Sequence, residues 1–162
     1  MKRVKYLTAA IGAAIFAGNA TAITITSETD ANALWTAVAG GVAGITLNSA
    51  TLSGQTTVGG ATSSGTYTNA SGTYGIGGGI VLSSGDVLDY NDGPNNSSGN
   101  TTIYGSSATP AQETVLDTIT GGSLSHFDVT EFTVNFDVSN DVDTIFFNLV
   151  CALLVIGMRG CG

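Results

Sequence analysis

Five oxygen-bearing side chains crowd one stretch near the middle of this chain: Asp86, Asp89, Asn91, Asp92 and Asn95. Carboxylates, amides and backbone carbonyls are the donors that calcium takes, six to eight at a time. A loop that folds back on itself would bring such donors onto one ion, and these five residues are the candidate calcium ligands. Their spacing is not that of an EF-hand, and no bidentate Glu closes the loop. The competing reading makes Asp and Asn turn formers, a role both favour on their own. Asp141 and Asp143 form a second, smaller group of the same kind. Calcium is the one cofactor these residues suggest.

Other chemistry finds fewer parts. His126 is the sole histidine, so a site needing several imidazoles is excluded, and a Ser-His-Asp triad has only this one ring to use. Neither G-x-S-x-G nor H-E-x-x-H occurs. The glycines at 75 and 77–79 lack the Lys of a phosphate loop and precede a strand-like run instead of opening a helix. Glu113, Glu131 and the loop aspartates are the carboxylates from which a glycosidase pair would be drawn. Acids are common on surfaces, and the expectation is a protein that is not an enzyme.

The acidic loop needs a frame. Ile80-Val81-Leu82 reads as a buried strand delivering the chain into Ser83-Ser84-Gly85 and the loop, and residues 93–112 read as a long polar surface segment. Phe132, Val134, Phe136 and Val138 alternate with Glu131, Thr133, Asn135 and Asp137, the pattern of an antiparallel strand with one dry face. Ser139-Asn140-Asp141 is a turn, and the apolar run Thr144–Val150 reads as a more buried strand, so the pair predicts a hairpin. Ile45–Leu47 and Ala50–Leu52 predict one strand or two short ones, and Thr66-Tyr67-Thr68 another. Glu113–Ile119 fits a helical turn and a short strand equally. Near the start, Ala31, Leu34, Trp35 and Val38 recur at helical spacing, with Ser27 and Asp30 as a capping pair and Gly40-Gly41 as the stop. Trp35 is expected in packing. The fold class expected is all-β, an antiparallel, jelly-roll-like sandwich with a short N-terminal helix.

Residues 1–22 carry a separate signal. Lys2, Arg3 and Lys5 precede an apolar run from Leu7 to Phe16, and Ala20-Thr21-Ala22 offers small residues for cleavage: a secretory signal peptide. The run is too short to span a bilayer, which takes about 20 residues. Three of the four basic residues lie in this segment. Beyond it, 12 acids face Arg159 alone, a net charge of −11. That balance repels nucleic acid and anionic lipid and suits cations, neutral glycans or protein partners. Residues 23–150 read as one β domain. At residues 151–162, CALLVIGMRGCG, the composition changes abruptly, as at a truncation or frameshift or in a separate apolar tail. Cys151 and Cys161 fit a disulfide or no pairing at all.

Three stretches together resemble a known family: ANALWTAVAGGVAGITLNSATLSG, YGIGGGIVLSSGDVLDYNDGPN and FTVNFDVSNDVDTIFFNLV. The chain resembles the choice-of-anchor L domain of bacterial exported proteins over about residues 28–150, with GIVLSSG followed by GPN as the most specific piece. Family members continue after the last strand into an acidic Ser-Glu-Glu-Tyr-type motif, from which this sequence departs at Cys151. The resemblance implies a secreted or cell-surface module and no particular reaction. The function expected is therefore adhesion or assembly, through surface proteins or glycans, with a carbohydrate-binding module or carbohydrate-active enzyme as the alternative. Tyr67, Tyr74, Tyr90 and Tyr104 are the aromatic candidates for glycan contact. Exported protein should begin at Ile23, which N-terminal sequencing of secreted material checks; a mature chain starting at Met1 would contradict the signal assignment.

Overall fold

The computed structural model describes residues 23–56, 60–70, 72, 75–90 and 102–148. Among these residues, five strands form two antiparallel sheets, accompanied by two α-helices. In the first sheet, strand β3 (Ser64–Thr68) lies between β1 (Thr24–Ser27) and β4 (Gly78–Leu82). In the second, β2 (Ile45–Ser53) pairs with β5 (Glu131–Val138). The predicted alternation of β5 holds for Phe132, Val134 and Phe136, which are half-buried between exposed neighbours, whereas Val138 at the end of the strand is exposed.

β2 is a single strand, and one irregularity explains its sequence. Ile45 and Leu47 share a parity that Ala50 and Leu52 break. A register shift between Leu47 and Ser49 places Asn48 as the extra residue, so Ile45, Leu47, Ala50 and Leu52 all turn to the half-buried face. The bulge thus restores the period of two that a sheet requires. They meet Val138, Phe136, Val134 and Phe132 across the ladder.

Helix α1 (Ala31–Ala39) binds the two sheets together, packing on β2 of one and on β3 and β4 of the other. Leu34 is fully buried, and Trp35 stacks on Phe136 with ring centroids 5.4 Å apart. The cap differs from the expected pairing of Ser27 with Asp30. Ser27 belongs to β1, opposite Gly65, and Asp30 alone caps, its carboxylate accepting the amides of Asn32 and Ala33. Gly65 is required where β3 passes β1, because a Cβ there would lie 2.6 Å from the Thr26 carbonyl oxygen.

Two further expectations are corrected. The sequence predicts one helix, but α2 (Pro110–Thr120) is a second. Its N-terminus is fixed by a capping box in which Thr109 Oγ1 accepts from the Gln112 amide and Gln112 Oε1 accepts from the Thr109 amide, with Pro110 in the first turn. This settles Glu113–Ile119 as helix and ends the expected surface loop before residue 110. The predicted hairpin between residues 132–138 and 144–150 does not form. β5 pairs with β2 instead, and the described residues 142–148 adopt no regular structure. The Ser139 amide donates to the Gly44 carbonyl, closing the β2–β5 ladder, and the chain then runs past Trp35, Val38 and Phe136. Residues 149–150 lie outside the described residues.

Phe136 supports the stacking that seats α1, whereas Asp137 is exposed. Phe136→Ala should cost about 3 kcal/mol, near the lower end for a large-to-small aromatic change since the ring is only half-buried. Asp137→Ala should stay within about 0.5 kcal/mol, as exposed substitutions do. Urea denaturation of both variants checks this, and equal losses would contradict the assigned faces.

Candidate functional site

Of the five candidate calcium ligands, Asp86 and Asp89 are described; Asn91, Asp92 and Asn95 lie outside the described residues. After β4 the chain passes Ser83-Ser84-Gly85 into a short 3-10 turn, Val87–Tyr90. Asp86 Oδ1 accepts the Leu88 amide, and Asp89 Oδ2 accepts both the amide and the hydroxyl of Thr102, at 3.2 and 3.3 Å. Asp86 thus does turn-forming work, whereas Asp89 ties the turn to Thr102, 13 residues on. The fully buried Val87 anchors the turn, its amide bonded to the Thr62 carbonyl.

Asp128 stands beside this turn and was not singled out from the sequence. It is buried and sits in the left-handed region, at φ 54°. Its carboxylate gathers three consecutive amides, of Tyr104 (3.2 Å), Gly105 (3.3 Å) and Ser106 (2.8 Å). The Tyr104 hydroxyl is buried with no hydrogen-bond partner among the described residues. Burial raises its pKa first, and the negative charges of Asp86, Asp89 and Asp128 add to the effect. Carboxylates from two segments, Asp86 and Asp89 of the turn and the distant Asp128, therefore act on Tyr104, where the sequence showed only the loop acids.

A second constellation forms at α2. Glu113 and Asp117 are one helical turn apart, and after the turn at Gly121, in the left-handed conformation at φ 85°, the chain brings His126 back against them. One ligand atom from each of the three lies within 4.8 Å of the others. His126 Nδ1 is 2.6 Å from Glu113 Oε2, and the His126 amide donates to Glu113 Oε1 at 2.9 Å. The ring's hydrogen bond holds the Glu113 carboxyl below its usual range. The ring's other nitrogen meets Thr120 Oγ1 at 3.3 Å. Leu82, Ser83, Leu116, Ser125, His126 and Phe127 border an open groove of about 520 Å³ beside this cluster. A helical reading of residues 110–120 would have exposed the one-turn spacing of the two acids; nothing local announced the return of His126.

The order Thr120, His126, Glu113 has the connectivity of a nucleophile, base and orienting acid. The surroundings oppose that use. The Thr120 hydroxyl donates to the Leu116 carbonyl, and the Gly121 amide is committed to the Asp117 carbonyl. The end of α2 presents carbonyls and the negative pole of the helix, the wrong sign for an oxyanion. The glycosidase carboxylates are also engaged separately: Glu113 by His126, and Glu131 by Gln112 and Thr133.

Two antiparallel sheets carrying acidic groups on loops and one helix define an acidic, β-rich module, and no Lys or Arg occurs among the described residues. The chain belongs to the choice-of-anchor L domain family, whose model matches residues 22–152. That membership makes it a surface-associated module of exported proteins. No curated protein and no solved structure gives a significant match. Among the described residues, no helix is long and apolar enough to cross a membrane.

Asp128→Ala leaves three amides without their acceptor and puts a less suited residue at positive φ. It should cost about 2–3 kcal/mol, while Asp128→Asn, which keeps an acceptor and tolerates that conformation, should cost clearly less. Chemical denaturation of the two variants checks the order; equal costs would show that the amide cage is not what Asp128 supports.

Proposed function

We propose that the protein is a non-catalytic adhesion or assembly module, exported through residues 1–22 and displayed on the bacterial envelope, with calcium stabilising the loop after β4. Family membership over residues 22–152 is the observation that carries this reading. The exposed apolar surface supports a protein partner. Phe146 and Phe147 are 88% and 64% exposed, beside a groove of about 180 Å³ lined by Trp35, Val38, Val42 and Phe136. Contiguous exposed apolar surface is a place where protein partners dock.

A glycan partner has less support. Trp35 is buried against Phe136, Tyr67 packs over Gly79, and the Tyr104 hydroxyl is buried. Tyr74 and the side chain of Tyr90 lie outside the described residues. Calcium rests on Asp86, Asp89, Asn91, Asp92 and Asn95 together, and on the absence of a Lys or Arg among the described residues to balance Asp86, Asp89 and Asp128 near Tyr104. A cation held by the native loop alone adds stability by mass action, about 2.7 kcal/mol at a hundred times its dissociation constant. Magnesium, with its tighter octahedral demand, should add less.

The test uses the producing bacterium. Deleting the gene should reduce attachment between cells without slowing growth. The unaltered gene should restore attachment in calcium, and an Asp89→Asn, Asp92→Asn version should not. In parallel, calcium should raise the melting temperature of the purified chain more than magnesium or matched sodium chloride does. Unchanged attachment after deletion would overturn the adhesive role, and identical melts in the three salts would overturn the calcium role.

A further inference from the structure

The cluster on α2 joins three metal-ligating side chains from two stretches of the chain. Glu113 and Asp117 stand one helical turn apart, and His126 returns against them with Nδ1 2.6 Å from Glu113 Oε2 and Nε2 3.3 Å from Thr120 Oγ1. No Lys or Arg among the described residues competes for the two carboxylates.

We propose that Glu113, Asp117 and His126 form a binding site for a divalent transition ion of the zinc type. The donors are two carboxylate oxygens and one imidazole nitrogen. That mixed set suits zinc and its neighbours, whereas calcium and magnesium take oxygen donors. Glu113 is already oriented by the His126 amide at its other oxygen, and the ring is oriented by Thr120, the outer partner that metal-bound histidines characteristically have. Each ligand atom lies within 4.8 Å of the others, so binding needs side-chain rotation only: the Glu113–His126 contact opens by less than about 1 Å to the ligand–ligand spacing around zinc. The adjoining groove bordered by Leu116, Ser125 and His126 leaves room for solvent or a partner's side chain at the fourth position. The site is separate from the calcium loop and stands whether or not the protein is adhesive.

Zinc chloride titrated by calorimetry into the full, untagged chain tests this. Cys151 and Cys161 are replaced by Ser throughout, so that thiolates contribute nothing. Zinc should bind one per chain and at least a hundredfold more tightly than calcium or magnesium. His126→Gln should abolish binding. Asp117→Asn, whose side chain makes no hydrogen bond among the described residues and whose fold should be intact, should weaken it at least tenfold at an unchanged melting temperature in chelator. The nitrogen-15 resonances of the His126 ring should shift on zinc addition. Zinc binding no tighter than calcium binding, or equal zinc affinity in both variants and the parent, would overturn the site.

Discussion

The frame depends on three consecutive residues, Thr62, Ser63 and Ser64, buried to 4%, 0% and 1% exposure. Ser63 receives the Ser83 amide on its carbonyl, donates its own amide to the Gln55 carbonyl and accepts the Gln55 amide on its hydroxyl. Ser64 receives the Glu28 amide and returns its hydroxyl to the Glu28 carbonyl. The Thr62 carbonyl takes the amide of Val87. The ends of β1, β2 and β4 and the acidic turn thus meet on one short segment. Buried polar groups left without partners would each cost about 1–3 kcal/mol. Their mutual satisfaction is therefore the condition for bringing these backbones together. Small hydroxyl side chains suit the place: bulkier ones would force the segments apart.

Strongly buried apolar residues among those described are few: Ile25, Leu34, Trp35 and Val87. Leu34 and Trp35 seat α1 across the two sheets, and Val87 seats the acidic turn. Elsewhere polar clasps take over. The Thr130 hydroxyl reaches the Ser83 carbonyl, Gln112 reaches Glu131, and Asp128 holds residues 104–106. A frame held by backbone pairing leaves acids and aromatic side chains on its outside, where a surface-associated module needs them. Both candidate cation sites involve chain that has just left an element: Asp86 and Asp89 follow β4, and His126 returns from the turn after α2 onto Glu113 and Asp117 of that helix.

Much of this was legible because the period of the sequence matched a half-buried surface. β5 and α1 each expose one face and cover another, so their side chains repeat at two and at 3.6 residues. β2 was legible only in part, because the bulge at Asn48 inverts parity midway. The run from Thr144 misled because an unbroken apolar stretch carries no period; it marks apolarity without saying which neighbour will cover it. α2 was hidden by its threonines, although Thr109, Pro110 and Gln112 spell its start. The sites divide in the same way. Loop acids are adjacent in sequence and were visible. Asp128 and His126 acquire their roles through contacts across 13 to 24 residues, which spacing does not encode.

The claim that everything else rests on is that the Thr62–Ser64 segment ties the strands into one cooperative unit. Amide hydrogen exchange resolved by residue tests it most directly. If it is right, the amides of Gln55, Ser63, Ser83 and Val87 exchange only through global unfolding, at the slowest rates in the molecule and with one common free energy. Should these four exchange faster than the central amides of β5, by local opening, the frame would be held elsewhere and the account would be wrong.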